Sequence, residues 1–250
     1  MSWLTQTISS TIGRKVLVSL TGLFLITFLV VHLIGNFQLF KTDGGYAFNA
    51  YAKFMTTNPL IKISSYILYA GILAHIIITI SLTLFNKKAR GSEAYKITRP
   101  SANSTWTSRN MGLLGTIILI FLVIHLQNFW YQMKFGTTPV AKYELATTGE
   151  ITKESIEVAE VTSQMLKQEG VYKDLYLMVS EAFKEIWLVV LYVLAMIGLG
   201  LHLAHGFQSA FQTLGLNHSR YTPFIQKLGL AFSIVVPALF ASMPLIFYFR

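Results

Sequence analysis

The chain contains no cysteine, which excludes disulfides, thiolate-bound metals and cysteine nucleophiles. Charge is also scarce. Only 12% of the 250 residues are Asp, Glu, Lys or Arg, against roughly 25% in an ordinary soluble domain. Acids are the scarcer sign, 11 against 20 basic residues, and the net charge is +9. Nucleic acid is a poor explanation for that excess. The Lys and Arg residues stand at the ends of apolar runs, where they orient membrane helices. Internal repeats and low-complexity segments are absent. The first apolar run is too long for a cleavable signal peptide, and no small-residue cleavage site follows it.

What the chain does contain is long apolar sequence, 53% of all residues. Five stretches carry no Lys, Arg, Asp or Glu: 16–40, 63–86, 110–133, 186–215 and 228–249. A membrane helix needs about 20 consecutive apolar residues, and each stretch is long enough. The fold class expected is all-α, an integral membrane bundle of five transmembrane helices forming a single domain over 1–250. Pro237 and Pro244 predict a kink in the fifth span.

The connections give an orientation. Arg14 and Lys15 precede the first span. Lys87, Lys88, Arg90, Lys96, Arg99 and Arg109 flank the second-to-third loop against Glu93 alone, and Arg220 and Lys227 precede the fifth span. The connection 134–185 instead holds nine of the 11 acids. The positive-inside rule then places the N-terminus in the cytoplasm and the C-terminus outside. Within the outer connection, 152–168 spaces Ile156, Val158, Ala159, Val161 and Met165 near a helical period. Thr152 with Ser155 reads as its start and Gly170 as its stop. The expectation is an outer-face helical insertion of one or two amphipathic helices.

Five of the six histidines, His32, His75, His125, His202 and His205, lie inside the apolar spans, while His218 sits in a loop beside Arg220. An ionisable side chain in a span is costly and marks function by default. A lone one is often a hydrogen-bonded interface residue. Here each of helices one to four carries at least one, and the fourth carries two. His32 is 17 residues beyond Lys15 and His125 is 16 beyond Arg109, so both sit ~25 Å above the inner boundary. His75 is 12 residues before Lys87 and His202 is 13 before Gly215, both ~18–20 Å above that boundary. Two imidazoles at one depth make a bis-histidine axial set for haem iron. With both axial positions filled, electron transfer is favoured over oxygen binding. His205 lies three residues after His202 on nearly the same face, and spacing alone allows either as ligand.

Gly22, Gly35, Gly71, Gly115, Gly198, Gly200 and Gly206 offer close helix approach. Arg14, Ser19, Ser108, Arg109, Gln208 and His205 are the candidate propionate contacts, with helix caps and charge anchors as the plainer roles. Trp106, Trp130, Tyr131 and Trp187 stand at span ends, as an aromatic belt does.

The run from Ser19-Leu-Thr-Gly-Leu-Phe-Leu through Val31-His32 resembles the first helix of the dihaem cytochrome b subunits of succinate:quinone oxidoreductases and fumarate reductases. Gly200-Leu-His202-Leu-Ala-His-Gly206-Phe resembles the fourth, in which a histidine is followed four residues later by glycine. The resemblance covers all five spans and the four ligand positions. Gly13-Arg14-Lys15 and the outer insertion look most like the version found in Bacteroidetes-type bacteria.

The resemblance implies a subunit of succinate dehydrogenase in the bacterial inner membrane, part of the respiratory chain and the tricarboxylic acid cycle. It implies a flavoprotein and an iron–sulfur subunit on the cytoplasmic face, and allows a higher oligomer of the complex. It implies two haems b, an inner one on His75 and His202 and an outer one on His32 and His125, with menaquinone reduced on this chain near the outer haem. Some relatives place a carboxylate for quinone protonation in the first outer connection. The matching residues here, 48–53, contain no acid. The quinone environment is therefore drawn from Asp43, Asn49, Tyr51, Lys53, Gln127 and Asn128. Two other readings compete: a bis-histidine cytochrome b serving another dehydrogenase or a hydrogenase, and a haem-free transporter or proton channel with histidine relays.

Overall fold

A computed structural model describes residues 2–90, 104–146 and 149–250. Five helices are long and apolar enough to cross a membrane: Thr11–Phe40, Pro59–Ala89, Met111–Phe135, Ile186–Thr213 and Thr222–Phe249. The architecture is that of a mostly helical, multi-pass membrane protein with a small sheet. In the most apolar stretch of the second and third spans only 6% is buried. So much exposed Leu and Ile belongs against hydrocarbon rather than water. Trp106, Tyr131 and Trp187 are exposed near span ends, where an aromatic belt would lie.

Caps rather than charges set the helix ends. The second span begins at Pro59, ahead of Lys62, because the Asn58 side-chain oxygen accepts from the amides of Leu60 (2.9 Å) and Ile61 (3.3 Å). Proline fits the first helical position, where its missing N–H would have no partner anyway. The first span starts at Thr11 because the Ser10 hydroxyl accepts from Gly13 N–H at 3.0 Å. The fourth span ends in a Schellman turn: Leu216 N–H reaches Phe211 C=O, Gly215 N–H reaches Gln212 C=O, and Gly215 adopts φ 75°. The fifth span stays helical through both Pro237 and Pro244. The third departs from α geometry immediately after His125, passing through a π-helical stretch Leu126–Tyr131.

The chain forms two compact units, each drawing a stretch from all five long helices. One comprises Met1–Val30, Ser65–Ile118 and Ala195–Ala238. The other comprises Val31–Ser64, Leu119–Leu194 and Leu239–Arg250. Lys96, Arg99 and Glu93 of the second-to-third connection lie outside the described residues.

The insertion 134–185 corrects the helical expectation. It forms a three-stranded antiparallel sheet in the order β2-β1-β3, with β1 Val140–Leu145, β2 Ile151–Ile156 and β3 Val171–Lys173. Thr152 and Ser155, expected to start a helix, pair instead with Glu144 and Ala141. Ile156 ends β2, Val158 and Ala159 fall in one short 3-10 turn, and Met165 falls in another. Gly170 stops no helix. It adopts φ 78°, its carbonyl accepts from Tyr143 N–H at 2.8 Å, and a Cβ there would stand 2.6 Å from the Tyr143 carbonyl oxygen. The insertion contains one regular helix, Leu175–Ala182, capped by Asp174.

This sheet docks on the helix Tyr46–Thr57, which also packs against Leu175–Ala182. Asp43 starts Tyr46–Thr57 by accepting from Gly45 N–H and Ala47 N–H, both at 3.0 Å. Gly45 itself sits at φ 92°, and a Cβ on it would lie 2.4 Å from Tyr176 Cγ. We expect Gly45→Ala to cost at least ~1–2 kcal/mol for the left-handed backbone alone. Displacement of the Tyr176 ring adds to that. Thermal unfolding in detergent should show the loss, and an unchanged midpoint would contradict it.

Candidate functional site

His32 and His125 fall in the unit that carries the sheet. Their ring centroids are 5.9 Å apart with planes at 90°. Phe240 lies 5.6 Å from His32, and Phe121 and Phe129 lie 5.6 and 5.5 Å from His125. The pair therefore stands in apolar, aromatic surroundings. Asn36 donates to the His32 carbonyl at 2.7 Å and stands 3.5 Å from each ring nitrogen, at the outer limit of a hydrogen bond.

His125 has a defined second contact. Its Nδ1 lies 3.1 Å from the Tyr192 hydroxyl. Tyr192 is buried and fixed by edge-to-face packing on Phe121 (4.8 Å) and Phe183 (5.1 Å). Asn128, in the π-helical stretch, hydrogen-bonds the same hydroxyl. π-helical turns recur at functional sites, and this one presents Asn128 to a tyrosine already held against His125.

His75, His202 and His205 fall in the other unit. His75 Nδ1 lies 3.0 Å from the Thr21 hydroxyl, which donates its own proton to Leu17 C=O at 2.8 Å. The Thr21 hydroxyl thus stands within reach of both His75 Nδ1 and a helix carbonyl, and a His75 that ligates through Nε2 would donate its Nδ1–H to the Thr21 oxygen. The ring lies over Gly22, where a Cβ would come to 3.4 Å from Cε1. His202 lies similarly against Gly115, at 3.9 Å. Its buried Nδ1 has no hydrogen-bond partner among the described residues. Such an atom is rare in a native interior and asks for a partner the protein does not supply.

The donor set fits haem. Two metal–nitrogen bonds of ~2 Å and two imidazole radii of ~1.1 Å put the ligand centroids ~6.2 Å apart, close to the 5.9 Å of His32 and His125. Among the described residues no group of three His, Asp or Glu could hold a bare metal ion. Pairs of histidines are what a macrocycle requires, since it supplies the other four nitrogens.

The candidate propionate contacts are mostly engaged elsewhere. Arg14 donates to the Ser81 hydroxyl at 3.2 Å, and Ser19 donates to Lys15 C=O at 3.0 Å. Arg109 donates to the Ser104 carbonyl, and the Ser108 amide is held by the Thr105 cap. Gln208 is exposed and His205 half-buried.

The six quinone candidates divide in the same way. Asp43 caps a helix, as described above. Asn49, 1% exposed, donates to the Tyr143 hydroxyl at 3.0 Å and to Asp174 at 2.9 Å, and accepts from Tyr176 N–H at 3.0 Å. Lys53 donates to the Gln168 and Val171 carbonyls, each at 2.9 Å, and lies over the Tyr172 ring. Asn49 and Lys53 hold the insertion in place. Tyr51 packs on Gly35, one turn beyond His32, where a Cβ would meet its ring at 2.5 Å. Burial raises the Tyr51 phenol above its ordinary range. Gln127 is exposed and Asn128 turns to Tyr192.

Sequence reasoning missed Thr21, Tyr192 and Asp174. Tyr192 carried a readable signal, as a phenol inside an apolar span seeks a hydrogen-bond partner. No protein-family model, curated protein or solved structure matches the chain.

Proposed function

We propose that this chain is the membrane-anchor and electron-transfer subunit of a succinate:menaquinone oxidoreductase in a bacterial inner membrane. In this reading it binds two bis-histidine haems b, one on His32 and His125 and one on His75 and His202. The observation that carries it is the opposed His32 and His125 rings at 5.9 Å. In this reading His75 and His202, which pack on Gly22 and Gly115, form the second pair. The dehydrogenase partner comes from the resemblance of the first and fourth helices alone.

When bound, the haems supply reversible one-electron transfer at iron. The chain's own residues do the rest. His32, His125, His75 and His202 would hold the haems and would leave no open position on the metal for oxygen. Phe121, Phe129 and Phe240 exclude water from the His32–His125 pair. Thr21 and Tyr192 hold one imidazole of each pair by its Nδ1. Asp43 is committed to its helix cap and Asn49 and Lys53 to the insertion, so Tyr51 and the exposed Gln127 are the remaining quinone candidates. The iron–sulfur and flavoprotein subunits bind on the cytoplasmic face, with the N-terminus on that side.

The test is the complex purified from native membranes. A pyridine haemochromogen assay should give about two haems per chain, co-purifying with a flavoprotein that reduces them from succinate. Zero haem would reject the cytochrome reading. Two haems with no succinate-driven reduction would leave a cytochrome b of some other dehydrogenase and reject the partner.

A further inference from the structure

We infer that two hydroxyl groups, Thr21 and Tyr192, act as positioning residues that set the ligand orientation and the redox potential of the two haems separately. This rests on the haem reading above. The His75 Nδ1–Thr21 distance is 3.0 Å and the His125 Nδ1–Tyr192 distance is 3.1 Å. Each contact joins two different helices, the second with the first and the third with the fourth. Each also engages only one member of its histidine pair. His202 Nδ1 has no partner among the described residues.

The chemistry follows from proton placement. For His75 to ligate through Nε2, its Nδ1–H donates to the Thr21 oxygen, whose own proton goes to Leu17 C=O at 2.8 Å. For His125 to ligate through Nε2, its Nδ1–H donates to the Tyr192 oxygen, which Asn128 also engages. An accepted Nδ1–H makes the imidazole a stronger electron donor to the metal and fixes its plane. A stronger donor stabilises the oxidised metal. Removal of the acceptor should therefore raise the potential of that haem alone. Tyr192 is the more rigid of the two. Its ring is clamped by Phe121 and Phe183, whereas Thr21 is held by its own helix backbone.

The experiment is optical redox titration with EPR of the oxidised haems, on the purified complex carrying Thr21→Val, Thr21→Ser or Tyr192→Phe. Thr21→Val should move the midpoint and the low-spin g-values of the His75–His202 haem and leave the other unchanged. Tyr192→Phe should do the converse, and Thr21→Ser should match wild type. Loss of one haem in Thr21→Val with retention in Thr21→Ser also supports the hydroxyl. Loss in both would assign Thr21 a packing role and overturn the inference there. Loss of only the His32–His125 haem in Tyr192→Phe supports positioning, because the ring and its packing remain. Unchanged potentials and g-values in Thr21→Val and Tyr192→Phe, or equal shifts of both haems in either, would overturn it. Absence of haem from the wild-type complex would instead reject the function proposed above.

Discussion

Replacing His125 with alanine will remove one of the two haems proposed for each chain and leave the other spectroscopically intact. His32→Ala should remove the same haem, because the two rings oppose one another at 5.9 Å. His75→Ala and His202→Ala should both remove the second. His205→Ala should retain both, since His202 is the histidine that packs on Gly115. The expected loss is large. A six-coordinate haem stripped of one axial ligand loses both a bond and the geometry that holds the macrocycle between two helices. Haem content per chain should fall by about half in each of the four variants, and succinate-driven quinone reduction should be abolished. Low-temperature spectra of the residual haem decide the pairing. If His32→Ala and His75→Ala lose the same haem, the pairing is wrong. If His205→Ala loses a haem and His202→Ala does not, the two histidines exchange roles.

The spans, and the nearness of His32 to His125, were legible because a membrane simplifies sequence. Charge is excluded over ~20 residues, so charge-free runs mark helices and an ionisable residue inside one stands out. Depth could be read by counting from the flanking Lys and Arg. The helix ends were less legible, since Asn58 and Ser10 act through hydrogen bonds that ignore where charge begins. The insertion was misread for a physical reason. Its apolar residues fit a helical period as well as an alternating one, and strands are selected by partners distant in sequence. β1 is held by Asn49 and Gly44, about 95–100 residues earlier, through the Tyr143 hydroxyl. Second contacts such as Thr21 with His75 are invisible for the same reason, because they are properties of two helices together.

Asp174→Ala should unfold the sheet insertion locally while leaving the apolar spans protected. Asp174 is 1% exposed and receives three partners: Lys153 at 2.6 Å, Asn49 at 2.9 Å and the Leu177 amide at 3.1 Å. It thus joins β2, the helix Tyr46–Thr57 and the start of Leu175–Ala182 at one carboxylate. Truncation leaves Lys153 and Asn49 without it, and breaking a buried pair by removing one partner typically costs ~3–5 kcal/mol. Lys153 is 27% exposed, so water screens part of that and the lower end of the range is expected. Asp174→Asn keeps the shape and one acceptor oxygen and should cost less. Asp174→Leu combined with Lys153→Met removes both charges and should recover part of the loss, the excess over additivity measuring the pair itself. Hydrogen exchange at Val140–Leu145 and Val171–Lys173 reads the effect directly. In Asp174→Ala these amides should exchange roughly 100-fold faster or more. The amides of Ile186–Thr213 should exchange as in the unaltered protein. Unchanged exchange in β1 would mean that the sheet is held by its own ladder and that the buried carboxylate is incidental to it.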